Sequence, residues 1–180
     1  MQLRDLGGPG IAGWRQPLIE LYAQVYAEPP WLETPQEAAT FADRLAEQAQ
    51  RPGFRCAIAH EDERLLGACY GYSAGAGPLS DTPFYRALAS GVDQEVVREY
   101  LVGEVCEVAE LMVASIARRR GLGRALINRL LRDQRRAWLC THPTGSGLAF
   151  YRTNGWTVRG QFTAPSGMPL LVCTWTAEHI

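Results

Sequence analysis

The apolar positions change their period several times along the chain, and each change marks an element. Gln2 to Leu6 reads as a short strand, closed by Gly7, Gly8 and Gly10. From Pro17, residues Leu18, Leu21, Tyr22, Val25 and Tyr26 recur at three and four, which predicts an amphipathic helix. Glu28-Pro29-Pro30-Trp31 ends it, because proline cannot continue the hydrogen-bond ladder. Thr34-Pro35-Gln36-Glu37 is the clearest helix start, with a cap, a proline at the first helical position and a glutamate able to bond back. That helix should run to about Gln50, bury Phe41, Ala42, Leu45 and Ala49, and stop at Pro52-Gly53.

Phe54 to Ala59 and Leu65 to Tyr72 then read as two strands of a hairpin across a polar turn. A glycine-containing loop leads to Thr82-Pro83, where a helix should begin with Phe84, Leu88, Val92, Val96 and Val97 as its stripe, interrupted near Gly91. Strand character returns over Glu104 to Val113, and helical periodicity from Gly121 to about Arg136. A strand at 137–141, a short helix at 147–154 and strands at 156–163 and 170–175 complete the chain. Strands alternating with helices and flanked by hairpins predict one α/β domain with a mixed sheet over residues 1–180.

Composition narrows the function class. The formal net charge is −1, so the chain has no general attraction to nucleic acid or to an anionic membrane. No run approaches the length of apolar sequence that a membrane span needs, and the N-terminus has no apolar signal segment, so a cytoplasmic location is expected. The five cysteines lie far apart in apolar stretches, which reads as reduced core thiols rather than a disulfide or metal framework. His60, His142 and His179 are dispersed, so no metal site is expected. Every one of the 18 basic residues is arginine, and eight of them fall between Arg118 and Arg136. This basic segment suits a small polyanion, and a solvated helix face would have the same composition.

Glu110 to Leu126 carries the main chemical signal. An apolar strand runs into an Arg/Gly loop, Arg118-Arg119-Arg120-Gly121-Leu122-Gly123-Arg124, and a helix starts there. The first N–H groups of a helix lack internal partners, and the helix dipole favours an anion in front of them. Glycines 121 and 123 let a phosphate approach the backbone, and the arginines add charged donors. The dinucleotide fingerprint and the P-loop pattern are both absent. Two readings stay open on these residues alone: an anion site, or a glycine turn before an exposed basic helix.

Arg118-x-x-Gly121-x-Gly123 resembles the pyrophosphate loop of the GCN5-related N-acetyltransferase (GNAT) superfamily. Glu110-Leu111-x-Val113 resembles the strand that flanks the cofactor's pantetheine arm, and Tyr151-Arg152-Thr153-Asn154-Gly155-Trp156 is similar to the family's second signature. The element order fits over nearly the whole chain. The resemblance implies the GNAT fold, a mixed and mostly antiparallel central sheet flanked by helices, with acetyl-CoA as cosubstrate. It assigns cofactor contacts to Leu111, Met112, Val113, Arg118, Arg119, Arg120, Gly121, Leu122, Gly123, Arg124 and Thr144, and the general acid for the departing thiolate to Tyr151. Three departures stand out: Arg119 replaces the first glycine of the usual Arg-Gly-x-Gly form, Ser115 the proline usual at the strand's exit, and Thr144 an asparagine common seven residues before the tyrosine.

Glu110 is nearest the acetyl site that the resemblance implies and is the first candidate for base or water positioner, with Glu107 second. Strand parity sets Glu104 and Glu110 on one face and Glu107 on the other unless a bulge intervenes. Many family members use ordered water instead of a dedicated base. The expected activity is direct acetyl transfer to an amine of a small molecule. The alternatives are a protein or peptide N-acetyltransferase and a nonenzymatic acyl-CoA-binding sensor. The resemblance nominates Tyr26, Trp31, Phe84, Tyr85 and the segment after Trp156 to line the acceptor region, with Glu28, Glu33 and Asp81 favouring a cationic amine. The segment from Ala74 to Gly103 is longer than the connection usual in the family, and either covers the acceptor site or forms a homodimer contact.

Overall fold

The computed structural model describes residues 1–75 and 77–177, with residue 74 described by its backbone alone. Seven strands are hydrogen-bonded in the order β1-β2-β3-β4-β5-β7-β6: β1 (Gln2–Leu6), β2 (Arg55–Glu61), β3 (Arg64–Gly75), β4 (Gly103–Val113), β5 (Arg136–Thr141), β6 (Thr157–Thr163) and β7 (Pro169–Thr176). The β1–β2, β2–β3, β5–β7 and β6–β7 pairs are antiparallel, and β4–β5 is parallel. The helices are α1 (Arg15–Tyr26), α2 (Pro35–Ala39), α3 (Phe41–Gln48), α4 (Pro83–Ser90), α5 (Gln94–Val96), α6 (Leu122–Leu131) and α7 (Ser146–Thr153). The mixed, mostly antiparallel sheet with helices is the α/β architecture that the sequence predicts.

The chain divides into two compact units, Met1–Tyr72 with Val108–Asp133, and Ser73–Glu107 with Gln134–Ile180. In the first, Leu18, Leu21 and Tyr22 of α1 and Phe41 and Leu45 of α3 form one core with Ile58, Tyr70 and Met112 from the strands. Tyr22 stacks on Phe41 with ring centroids 4.0 Å apart. Such burial removes each large apolar side chain from water, worth roughly 1.5–3 kcal/mol apiece. α6 packs against β2 and buries Leu122, Leu126, Ile127, Leu130 and Leu131. Gly67 permits this approach, since a Cβ there would lie 2.9 Å from Leu126 Cδ1.

In the second unit, α4 packs on β6. Phe84 meets Phe162 edge to face at 5.5 Å, and the Gly91 carbonyl accepts the Gln161 N–H at 3.2 Å. Tyr100 and Thr176 share a hydrogen bond of 2.8 Å, and Arg159 lies over the Tyr100 ring.

Several boundaries differ from the sequence expectation. A 3₁₀ segment, Gly8–Trp14, precedes α1. The helix expected over 34–50 is two helices meeting at Thr40, whose hydroxyl donates to the Glu37 carbonyl at 2.7 Å. That local bond competes with helix propagation. The helix expected beyond Gly91 is α5 followed by a π-helical turn, Val97–Leu101. Its buried residues are Tyr100 and Leu101, while Val92, Val96 and Val97 are only half-buried. α6 ends at Leu131, short of Arg136. Of the five cysteines, Cys56, Cys69, Cys106 and Cys173 are buried and Cys140 is half-buried.

Candidate active site

The glycine loop opens α6 as the sequence predicts. Gly121 is its N-cap with φ of 76°, a left-handed conformation that favours glycine. Arg119 is also left-handed, at φ of 61°. No side chain caps the helix, so its first-turn N–H groups are left facing outward. Arg119, Arg120 and Arg124 are exposed, and among the described residues none is held in an ion pair or side-chain hydrogen bond. A free N-terminus, a cradle with no Cβ, and three uncommitted guanidinium groups fit a pyrophosphate.

Arg118 does something else. Its Nε donates to the Val113 carbonyl at 3.0 Å and its Nη1 to the Glu28 carboxylate. The side chain therefore ties the loop back to the end of β4 and to the segment after α1. Leu122 and Met112 are buried, so what they offer a ligand is backbone, while Leu111 and Val113 are half-buried at the strand's exit.

Glu110 lies in a cluster built by α1, α3 and β4. Arg44 Nη2 stands 3.2 Å from its Oε1, and the Tyr26 hydroxyl donates to its Oε2. Burial pushes the Glu110 carboxyl up, against the opposing pull of Arg44 and the Tyr26 hydrogen bond. Burial would lower Arg44, but the charge of Glu110 and contact with Tyr22 raise it overall. The guanidinium also lies 5.1 Å over the Tyr22 ring. The Tyr22 hydroxyl donates to Glu33 Oε1 at 2.8 Å, and Glu33 Oε2 is buried with no protein partner. The Tyr22 phenol is pushed upward by burial first and by Glu110 second.

Three residues earlier on the same strand, Glu107 is buried in the second unit, 8% exposed. The Tyr85 hydroxyl of α4 lies 2.9 Å from its Oε1 and 2.7 Å from its Oε2. Glu107 is the register partner of Trp138 on β5, and paired positions of a parallel ladder share a face. Tyr85 meets the Trp138 ring at 6.3 Å, and Trp138 Nε1 is buried without a protein partner.

Tyr151 lies on α7 and is half-buried, edge to face with Trp156 at 5.7 Å. A Cβ on Gly147 would lie 3.1 Å from Thr141 Oγ1 and only in ordinary contact, at 3.5 Å, with the Tyr151 ring. Thr144, just before α7, is exposed; its N–H and its hydroxyl approach His142 Nδ1 at 3.2 and 3.0 Å. The loop residues, Leu111 to Val113 and Glu110 thus belong to the first unit, and Glu107, Thr144 and Tyr151 to the second.

Arg44 was not singled out by sequence, although a signal exists. It sits three residues after Phe41, on the buried stripe of its helix, where an unpaired charge is costly. Its partner, 66 residues away, left no local trace.

Among the described residues no cluster of acidic, histidine and cysteine side chains could hold a metal ion, and no helix is long and apolar enough to cross a membrane. His179 lies outside the described residues.

Residues 16–156 match the acetyltransferase (GNAT) family, and the chain belongs to it. Members of that family draw the acetyl group from acetyl-CoA. No curated protein matches the sequence. Among solved structures, the fold is similar to PaiA N-acetyltransferase from Thermoplasma acidophilum in complex with coenzyme A, with TM-score 0.63, 12% identity, and 98% of this chain and 100% of that one covered. It is also similar to aminoglycoside 6'-acetyltransferase type Ii, with TM-score 0.64, 16% identity and coverage of 98% and 97%. A ribosomal-protein-alanine N-acetyltransferase from Brucella melitensis gives TM-score 0.62, 17% identity and coverage of 98% and 100%.

Proposed function

We propose that this acetyltransferase acetylates an amine of a small molecule, by direct transfer within a ternary complex. The observation that carries the cofactor half is the uncapped N-terminus of α6, with Gly121 left-handed and Arg119, Arg120 and Arg124 uncommitted. The backbone N–H groups of Leu122, Gly123 and Arg124 bind the pyrophosphate there, while Arg118 braces the loop. Leu111, Met112 and Val113 offer backbone groups to the pantetheine arm, and Thr144 a hydroxyl. Acetyl-CoA supplies the thioester whose carbonyl carbon the amine attacks. Tyr151 donates the proton that the leaving thiolate takes; a phenol does this without carrying a permanent charge.

For the base, the surroundings favour Glu107 over Glu110. Arg44 and Tyr26 oppose the rise that burial causes in Glu110, and between them they occupy both of its carboxylate oxygens. Glu107 accepts from the Tyr85 phenol at both carboxylate oxygens, which orients the group. It deprotonates the amine directly or through a water.

A small acceptor is favoured by α4, which brings Tyr85 onto Glu107 and covers that face of the strand. Aminoglycoside and ribosomal-protein acetyltransferases share the fold, so the acceptor must be found by assay. Free-thiol release should be measured with polyamines, aminoglycosides and peptides bearing free N-termini. Turnover is expected with the slender amines and not with peptides; the reverse order would favour a protein acetyltransferase. Tight acetyl-CoA binding with no turnover on any amine would favour a sensor. Tyr151→Phe should lower kcat by about 10²-fold, within the usual range for a general acid, and leave acetyl-CoA affinity unchanged. An unchanged kcat would reject its role.

A further inference from the structure

We propose that Tyr85 is a positioning residue for the acetyl-transfer reaction, holding the Glu107 carboxylate from a helix anchored directly to β6. The inference rests on the assignment of Glu107 as base. Its ground is the geometry of α4, an element of the long segment between β3 and β4.

A single hydroxyl within reach of both carboxylate oxygens, at 2.9 and 2.7 Å, constrains the plane of that carboxylate as well as its distance. Tyr85 and Glu107 are each 8% exposed, so bulk water competes little for the bond. A phenol O–H donates to a carboxylate without bringing a charge of its own. Cys140 feels the Glu107 charge too. Burial, and then that charge, push its thiol well above the ordinary value, so it remains a neutral neighbour.

The support behind Tyr85 is rigid for a reason visible in the glycines. A Cβ on Gly91 would lie 2.4 Å from the Gln161 carbonyl oxygen, and one on Gly160 would lie 2.1 Å from the Gly91 carbonyl oxygen. Both positions therefore require glycine for the end of α4 to meet β6 backbone to backbone. The Gln161 N–H to Gly91 carbonyl bond and the Phe84–Phe162 contact then fix the helix at two points. The T-shaped contact with Trp138 sets the Tyr85 ring itself. Every coordinate that aims the hydroxyl is held by another group, which is what preorganisation of a base requires.

The test is a double-mutant cycle with Tyr85→Phe, Glu107→Gln and the pair, using acetyl-CoA and whichever amine the panel identifies. Tyr85→Phe should lower kcat about tenfold, less than the ~10²-fold low end for loss of a general base itself, and leave acetyl-CoA affinity intact. It should also move the acid limb of kcat/KM to higher pH, because the carboxylate loses a donor that favours its charged form. In the Glu107→Gln background the same change should cost nothing further, because Tyr85 acts through Glu107. An equal loss in both backgrounds would make Tyr85 merely structural and overturn the proposal. If Glu107→Gln lowers kcat and Tyr85→Phe does not, the Tyr85 assignment alone fails. If Glu107→Gln leaves kcat unchanged, the base assignment fails and takes this inference with it.

Discussion

Glu110 and Glu107 are two buried carboxylates three residues apart on β4, and their surroundings differ in kind. Glu110 faces an arginine that is itself held over the Tyr22 and Phe41 rings. Glu107 faces a phenol carried by a short helix. On the proposed assignment of Glu107 as base, burial is a poor guide to which carboxylate does chemistry. Arg44 opposes, without cancelling, the rise that burial gives Glu110, and it joins α3 to the strand. A neutral donor orients the group and leaves its proton chemistry available. The comparison turns on the donor.

Arg44→Met is the largest test of that contrast. Removing Arg44 leaves the buried Glu110 charge without its cation, and because the guanidinium is partly exposed the loss is less than the ~3–5 kcal/mol of a fully buried pair. Glu110 can escape by taking a proton. Its folded pKa already lies above the ordinary carboxylate value, so its protonated form favours the native state. That contribution is full below the unfolded pKa and is lost as pH rises through the raised folded value. Without Arg44 the raise should grow. Urea unfolding should find the variant most destabilised at pH 8 and much less so at pH 5. Equal losses at both would mean that Glu110 does not titrate there. Glu110→Gln should likewise lose stability yet keep the turnover of the folded fraction close to that of the parent. A collapse in turnover would make Glu110 the base and invert the comparison.

A smaller effect separates the two regions by packing. Gly8 sits against the Ala49 carbonyl, where a Cβ would come within 2.3 Å, much as Gly91 sits against Gln161. Gly8→Ala and Gly91→Ala should each destabilise by about 1–3 kcal/mol, as overpacking does. Calorimetry should record this as roughly 2–4 °C in Tm per kcal/mol for a chain of this size. Only Gly91→Ala should also lower kcat, because it displaces the helix carrying Tyr85. Equal kcat in both variants would separate α4 from catalysis.

Much of this architecture was legible in the sequence because its causes are local. The period of three and four places α1, the Thr34 to Glu37 pattern starts α2, and the Arg/Gly loop opens α6 with Gly121 left-handed. What was not legible depends on distant partners or competing local bonds. The Thr40 hydroxyl divides one expected helix into two. The π turn at Val97–Leu101 shifts burial from the valines to Tyr100 and Leu101. Arg118, a phosphate ligand by resemblance, also donates to Val113 and Glu28, contacts that left no local trace in the sequence. The choice between Glu107 and Glu110 depends on Tyr85 and Arg44, which lie 22 and 66 residues away from them. Strand parity separates the two glutamates but says nothing of their donors.

The smallest expected effect concerns the cap that precedes Arg44. Thr34 Oγ1 accepts from the Glu37 N–H at 3.3 Å, while Glu37 Oε2 accepts from the Thr34 N–H at 2.8 Å. The bond from the Thr34 backbone, and then that from its hydroxyl, hold the exposed Glu37 carboxyl below its ordinary value. A carboxyl lowered in this way adds stability above its unfolded pKa and loses it as pH falls through the folded one, opposite in sign to Glu110. Thr34→Ala should cost about 1 kcal/mol, as loss of an N-cap does, and should leave kcat unchanged. Since α2 leads through Thr40 directly into the helix carrying Arg44, its pH dependence is informative. If Thr34→Ala also steepens the loss of stability between pH 5 and pH 8, the cap helps to hold Arg44 on Glu110. If the slope is unchanged, the ion pair is fixed by its aromatic stack alone.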